Sequence, residues 1–257
     1  MNHTYSIRVG IALFLAGAVS ACSYRPILGT DPLPPGVTIQ ETRDAILFQP
    51  SAPAAATGLV FYPGGLVDTH VYDRLLSRFA AQGTFVAVAK MPGHFAFFDL
   101  EAGRRLQGRF PGVASWVIAG HSLGGSMAAS AVSAMPGIWK GLILMDAYPP
   151  DGDSLKSWSG AVLSLYSSRE KTNDVARQEK TLSLLPPATW IAPVAAPYPA
   201  LHSNFTVLYL IEGGRHSYFG SYGPQDGDAV ATISQSAFHD QVLAAMGQFF
   251  AENGWRR

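Results

Sequence analysis

Gly120, Ser122 and Gly124 stand in the run Ser115-Trp116-Val117-Ile118-Ala119-Gly120-His121-Ser122-Leu123-Gly124-Gly125-Ser126-Met127 and spell G-x-S-x-G. A serine lifted to the tip of a sharp strand-to-helix turn needs neighbours without side chains, because a β-carbon there would meet the adjacent backbone. The same turn leaves the first amides of the following helix unpaired and able to bind a developing oxyanion. Apolar residues before the motif and a helix-capable run after it supply the setting that a chance match among 26 glycines would lack. Ser122 is therefore the candidate nucleophile.

A serine hydroxyl needs a base to take its proton, and the base needs a carboxylate to orient it. Of seven histidines, only His202, His216 and His239 follow Ser122. His216 lies in Glu212-Gly213-Gly214-Arg215-His216, in the loop after the last expected strand, where open α/β sheets gather their catalytic groups. His239 falls within the closing helix and His202 in a proline-rich loop, so His216 is the candidate base. Three carboxylates compete for the third place. Glu170 follows the strand ending at Tyr166 and is favoured by the order Ser, acid, His. Asp146 ends the preceding strand, and Asp174 doubles as a helix cap in Thr172-Asn173-Asp174. For the oxyanion, the expected donors are the amide of Leu123 and that of Gly65 or Leu66, in the turn Tyr62-Pro63-Gly64-Gly65-Leu66.

The elements that must hold these residues follow from periodicity. Apolar strands are expected at 58–62, 85–91, 115–121, 141–146, 161–166 and 205–211, with edge strands from 37–48. Amphipathic helices are expected over 68–82, 97–109, 123–135, 174–185 and about 234–250. Near-continuous apolar strands between amphipathic helices predict a doubly wound, mostly parallel α/β sheet with helices on both faces, in one domain over 37–257. The apolar stretch 186–203 reads either as a lid over the site or as a surface insertion. Phe95, Phe97 and Phe98 read as core.

Composition excludes other classes. The formal charge is zero and only 14% of residues are charged, so no basic footprint marks a nucleic-acid partner. Neither a dinucleotide fingerprint nor a P-loop occurs, no histidines or cysteines stand at metal-ligand spacing, and no cofactor is expected. His121 reads as structural.

The pieces Phe61-Tyr-Pro-Gly-Gly65, Met91-Pro92, Gly120-His-Ser-Leu-Gly-Gly125 and Glu212-Gly-Gly-Arg-His-Ser-Tyr-Phe-Gly220 together resemble the α/β-hydrolase superfamily, in particular its small bacterial members related to dienelactone hydrolases. The resemblance implies a cofactor-free serine hydrolase acting on a small-molecule ester or related acyl substrate. Dienelactone hydrolases proper carry cysteine at the elbow, so their substrate does not transfer to a chain with Ser122. An acyltransferase on the same machinery and a non-catalytic envelope-binding protein are the alternatives.

Residues 1–21 resemble a bacterial lipoprotein signal. Arg8 precedes an apolar run over 9–19, too short to span a bilayer, which needs ~20 residues, and the run leads to Val19-Ser20-Ala21-Cys22. Cys22, the only cysteine, occupies the lipidated position of such signals. The resemblance implies export and a lipid anchor in the cell envelope, with 22–36 as a proline-rich tether. A single cysteine also rules out an internal disulfide.

Overall fold

The computed structural model describes residues 24–27, 34–51, 56–169, 175–191 and 205–256. Among these residues nine strands form one sheet: β1 (Val37–Glu41), β2 (Ala45–Pro50), β3 (Thr57–Tyr62), β4 (Val86–Ala89), β5 (Ser115–His121), β6 (Gly141–Met145), β7 (Ala161–Ser167), β8 (Ala188–Ile191) and β9 (Thr206–Ile211). Their spatial order is β1-β2-β4-β3-β5-β6-β7-β9-β8. β1 pairs with β2 and β2 with β4 antiparallel; every other pairing is parallel. The chain therefore steps from β3 outward to β4 and returns on the other side of β3 as β5. That reversal opens a crevice at the carboxyl ends of β3 and β5, where α/β sheets bind ligands.

Among the described residues, five α-helices accompany the sheet: α1 (Asp73–Ala81), α2 (Ala102–Arg109), α3 (Leu123–Ala134), α4 (Val175–Leu184) and α5 (Gln235–Glu252). Alternate strand residues face opposite layers, as the pleat requires. Leu59 and Phe61 join α1 and α5 through Leu76, Phe79, Val242, Met246 and Phe249, whereas Val60 and Tyr62 join α2 and α3 through Leu106, Ala128 and Val132. Ser234 caps α5 by accepting from the Ala237 amide at 3.2 Å.

Several expectations change in detail. The helix expected over 123–135 forms, but of the apolar stripe read from its spacing, Leu123, Met127, Ala131 and Met135, only Ala131 is fully buried, while Met127 and Met135 pack partly buried against the core. Gly124, Gly125, Ala128, Ala129 and Val132 are buried beside it, because a helix springing directly from β5 must pack its backbone close to the sheet and only small side chains fit. The helix expected over 97–109 divides into a 3-10 turn, Ala96–Phe98, and α2. Within 186–203, residues 188–191 add the edge strand β8; residues 192–203 lie outside the described residues. The expected tether is docked at its start. Tyr24 bridges Val67 in parallel, its amide donates to the Leu66 carbonyl at 2.7 Å, and Ile27 donates to the Ser221 carbonyl at 2.8 Å. Among the described residues no helix is long and apolar enough to cross a membrane.

Candidate active site

Ser122 sits between β5 and α3 with φ 54° and ψ −128°, a strained backbone for a residue with a β-carbon. The glycines around it leave no alternative. A β-carbon on Gly120 would come within 2.5 Å of the Gly124 backbone, and one on Gly124 would strike the carbonyls of Tyr62 and Pro63. One on Gly125 would strike Ala147 and lie 2.6 Å from the Gly120 carbonyl. Gly120, Gly124 and Gly125 thus let β5, α3 and the end of β3 meet backbone to backbone. The Ser122 amide is spent on the Met145 carbonyl at 3.0 Å, which ties the elbow to β6.

The turn after β3 lies against the start of α3. A β-carbon on Gly65 would be 2.9 Å from Leu123 Cδ2, so these two residues are direct neighbours. The amides of this turn have separate fates. Gly64 donates to the Tyr72 hydroxyl at 2.9 Å, and Leu66 donates to the His94 carbonyl at 2.9 Å. Of the two expected turn donors, Leu66 is therefore withdrawn. The amides of Gly65 and Leu123 make no hydrogen bond among the described residues and remain for an incoming oxygen. Leu66 itself holds φ 57°, which turns the chain sharply beside the site.

His216 opens the 3-10 turn His216–Phe219 beyond β9. Its Nδ1 lies 3.4 Å from Asp146 Oδ2. Nδ1 thus faces the carboxylate, and Nε2 lies on the far side of the imidazole. Asp146 is almost wholly buried, and its side chain is held on both oxygens: the Ser167 amide donates to Oδ1 at 2.7 Å and the Ser167 hydroxyl donates to Oδ2. Burial pushes this carboxyl above its usual range, while the His216 imidazole and the Ser167 donors pull it back. Asp146 adopts φ 42°, a conformation that aspartate tolerates better than most residues. Among the described residues, the carboxylate beside His216 is thus the one at the end of β6. Glu170, favoured by chain order, and Asp174 both lie outside the described residues.

A second histidine underlies the first. The His121 ring is 4.5 Å from that of His216, fully buried, and its Nδ1 is 2.9 Å from the Tyr72 hydroxyl. Burial, and secondarily the nearby His216 charge, lower its pKa well below the ordinary histidine value, so it stays neutral. Tyr72 is also fully buried and its pKa is raised by desolvation, so its hydroxyl keeps its proton. Gly64, Tyr72 and His121 form one buried polar chain from the turn after β3 to the floor beneath His216.

Sequence reasoning missed Tyr72 as a polar partner, because helical spacing assigns it to the core. It also missed Ser167, whose signal is a hydroxyl at the end of the strand beside Asp146. Among the described residues no cluster of three or more ligating side chains could hold a metal. A groove of about 430 Å³ lined by Val132, Pro136, Leu155 and Trp158 lies toward the far end of α3 and has no titratable side chain in its wall.

Residues 58–240 match the family model described as alpha/beta hydrolase family. The chain belongs to that family. Hydrolysis is accordingly the reaction class of this hydrolase. No curated protein matches it in sequence. Its fold is similar to that of a solved CIB-like hydrolase of Thermoplasma acidophilum, at 17% identity and TM-score 0.56, with 85% of this chain and 100% of that one covered. It is also similar to a mutant of the esterase E40, at 13% identity and TM-score 0.57, with 99% of each chain covered. A dienelactone hydrolase of Anabaena variabilis gives 12% identity and TM-score 0.54, covering 86% of this chain and 100% of that one. At such identities the likeness extends to the fold.

Proposed function

We propose that the protein is a serine hydrolase that cleaves carboxylic esters through an acyl-enzyme, with Ser122, His216 and Asp146 as its triad. The observation that carries this reading is the buried Asp146 carboxylate 3.4 Å from His216 Nδ1, on the same edge of the sheet as the strained elbow at Ser122. A proton on Nδ1, facing Asp146, leaves the Nε2 lone pair as the base. His216 takes the Ser122 proton as Oγ attacks the carbonyl, and the carbonyl oxygen gains its negative charge against the amides of Gly65 and Leu123. The tetrahedral intermediate collapses, the alcohol leaves with the proton from His216, and an acyl-Ser122 remains. Water, deprotonated by His216, then attacks the acyl carbon, releases the acid and restores the serine.

The test is labelling of the purified protein with a fluorophosphonate, followed by peptide mapping and by turnover of simple esters. Labelling is expected on Ser122, and Ser122→Ala is expected to lower kcat by at least about 10⁴-fold. Near-wild-type hydrolysis by Ser122→Ala would overturn the triad. We further propose that the chain is exported and anchored to an envelope membrane through Cys22, on the strength of the apolar run and the small residues before it. Cys22 lies outside the described residues. Cys22→Ala is expected to move the protein from the membrane fraction to the soluble fraction; retention in the membrane would overturn the anchor.

A further inference from the structure

Of the three phenylalanines expected in the core, Phe97 and Phe98 are on the surface and Phe95 is half-buried. Phe97 is 49% exposed and Phe98 is 64% exposed. They lie ring to ring with Phe95: centroids are 5.0 Å apart for Phe95 and Phe97, 4.4 Å for Phe97 and Phe98, and 6.1 Å for Phe95 and Phe98. Adjacent exposed aromatic rings are uncommon on soluble surfaces and mark binding sites when they form a contiguous patch.

The segment that carries them is fixed at both ends. His94 accepts from the Leu66 amide at 2.9 Å, Ala96 is fully buried, and the 3-10 turn Ala96–Phe98 packs on α3. Beyond it, the Asp99 carboxylate accepts from Arg105 at 2.9 Å, and the Leu100 carbonyl accepts from the Tyr62 hydroxyl at 2.7 Å. The rings are presented by a pinned turn; they are not exposed because a loop is loose.

The patch is continuous with the reacting centre. Phe95 Cδ1 lies 3.6 Å from the position a β-carbon on Gly65 would take, and Gly65 is the oxyanion-turn residue that touches Leu123. A carbonyl seated between the Gly65 and Leu123 amides therefore has the edge of Phe95 as its neighbour. From there Phe97 and Phe98 extend the apolar surface into solvent. We propose that Phe95, Phe97 and Phe98 form the binding wall for an extended apolar group of the substrate, so that the enzyme selects esters bearing a medium-length aliphatic or aromatic substituent. This rests on the ester-hydrolase reading above. The patch carries no charged side chain of its own, so the group it receives is uncharged along the wall. Each methylene buried on it adds up to about fourfold in binding, which long substituents collect and an acetate cannot.

The experiment uses the full-length chain and two ester series below their micelle-forming concentrations, one lengthened from acetate to octanoate on the acyl side and one lengthened on the alcohol side. The reading is the ratio of kcat/KM between the longest and shortest member of each series. In the unsubstituted protein at least one ratio is expected to exceed about tenfold. In Phe97→Ala/Phe98→Ala that ratio is expected to fall by about tenfold, with fluorophosphonate labelling of Ser122 retained as the sign that the machinery is intact. Ratios unchanged within twofold, with labelling intact, would overturn the wall and leave the hydrolase reading standing. The same holds if the double variant loses only its binding to neutral phosphatidylcholine vesicles, which would assign the patch to a membrane surface. Absence of labelling and turnover in the unsubstituted protein would instead remove the hydrolase reading, and the wall with it.

Discussion

Two imidazoles lie 4.5 Å apart at the heart of this molecule and have opposite characters. His121 is sealed from solvent, faces a tyrosine hydroxyl, and is held neutral by desolvation. His216 is 12% exposed in its side chain and faces a buried carboxylate. The side chains are identical, so the difference lies in the partner. A carboxylate stabilises the imidazolium that forms when a base takes a proton, whereas a phenol in a dry pocket gives that charge nothing. In the proposed mechanism His216 is the residue that takes and returns a proton, whereas desolvation keeps His121 neutral.

Substitutions can break this contrast. The largest effect is expected at His216→Ala, where kcat should fall by about 10⁴-fold or more, and combining it with Ser122→Ala should add little further loss. Steady-state kinetics with a chromogenic acetate ester checks both, and additive losses would mean that the two residues do not act as a unit. Next comes Asp146→Asn, expected to lower kcat by roughly 10³- to 10⁴-fold by favouring the wrong tautomer. Because burial raises the Asp146 pKa, its ionised form at neutral pH costs the fold stability, so the neutral amide should leave the urea midpoint unchanged or higher. A fall in both activity and midpoint would assign Asp146 a structural role alone.

On the other side of the contrast, Tyr72→Phe removes the hydroxyl that accepts from Gly64 and meets His121. Leaving those buried groups unpaired should cost about 1–3 kcal/mol of stability. Displacement of the Gly64-Gly65 turn should lower kcat by about ten- to a hundredfold with KM nearly unchanged. An equal rise in KM would place Tyr72 in ground-state binding.

The smallest effect sharpens the comparison from outside the site. His239 is buried in α5, with Nε2 donating to the Tyr218 carbonyl at 2.7 Å, and desolvation lowers its pKa to about 4. Its unfolded value is 6.5, so between these two pH values the unfolded chain binds a proton that the folded chain refuses. Stability from this residue is present above about pH 6.5 and is lost as pH falls, by about 2 kcal/mol at pH 5. His121 drives stability in the same direction. Urea midpoints at pH 7 and pH 5, with His239→Gln for comparison, measure the share of His239, which should be smaller or absent in the variant.

What the sequence could reveal depended on how tightly sterics constrain each position. The elbow was legible because backbone contacts at Gly120, Gly124 and Gly125 forbid any side chain, which leaves a pattern in the letters. The large apolar face of α5 was legible because Phe238, Val242, Met246 and Phe249 must all meet the sheet. The face of α3 was misread, since close approach inverts the rule and buries the small residues while Leu123 and Met127 stay partly exposed. The carboxylate was ranked by chain order, which points past β7. Glu170 lies outside the described residues, and the end of β7 is where Asp146 is held: Ser167 grips Asp146, and the Ser168 hydroxyl accepts from the Gly213 amide at 2.8 Å in the loop leading to His216. Choosing among three carboxylates needs distances between strands, which a one-dimensional pattern does not contain. The exposed phenylalanines were read as core for a related reason, because apolar residues carry no mark in the sequence that separates a buried ring from one on the surface.

The docking of Tyr24 beside Leu66 also sets how the enzyme can be attached to a solid support. The described chain enters at the carboxyl ends of the strands, next to the reactive edge. It leaves at the opposite pole, where Trp255 packs over Gly141 at the start of β6. Immobilisation through a tag after residue 257 would turn the reactive edge outward toward dissolved substrate. Coupling through the residues before Tyr24 would turn it toward the support, so the two orientations should differ in apparent activity most for the bulkiest esters.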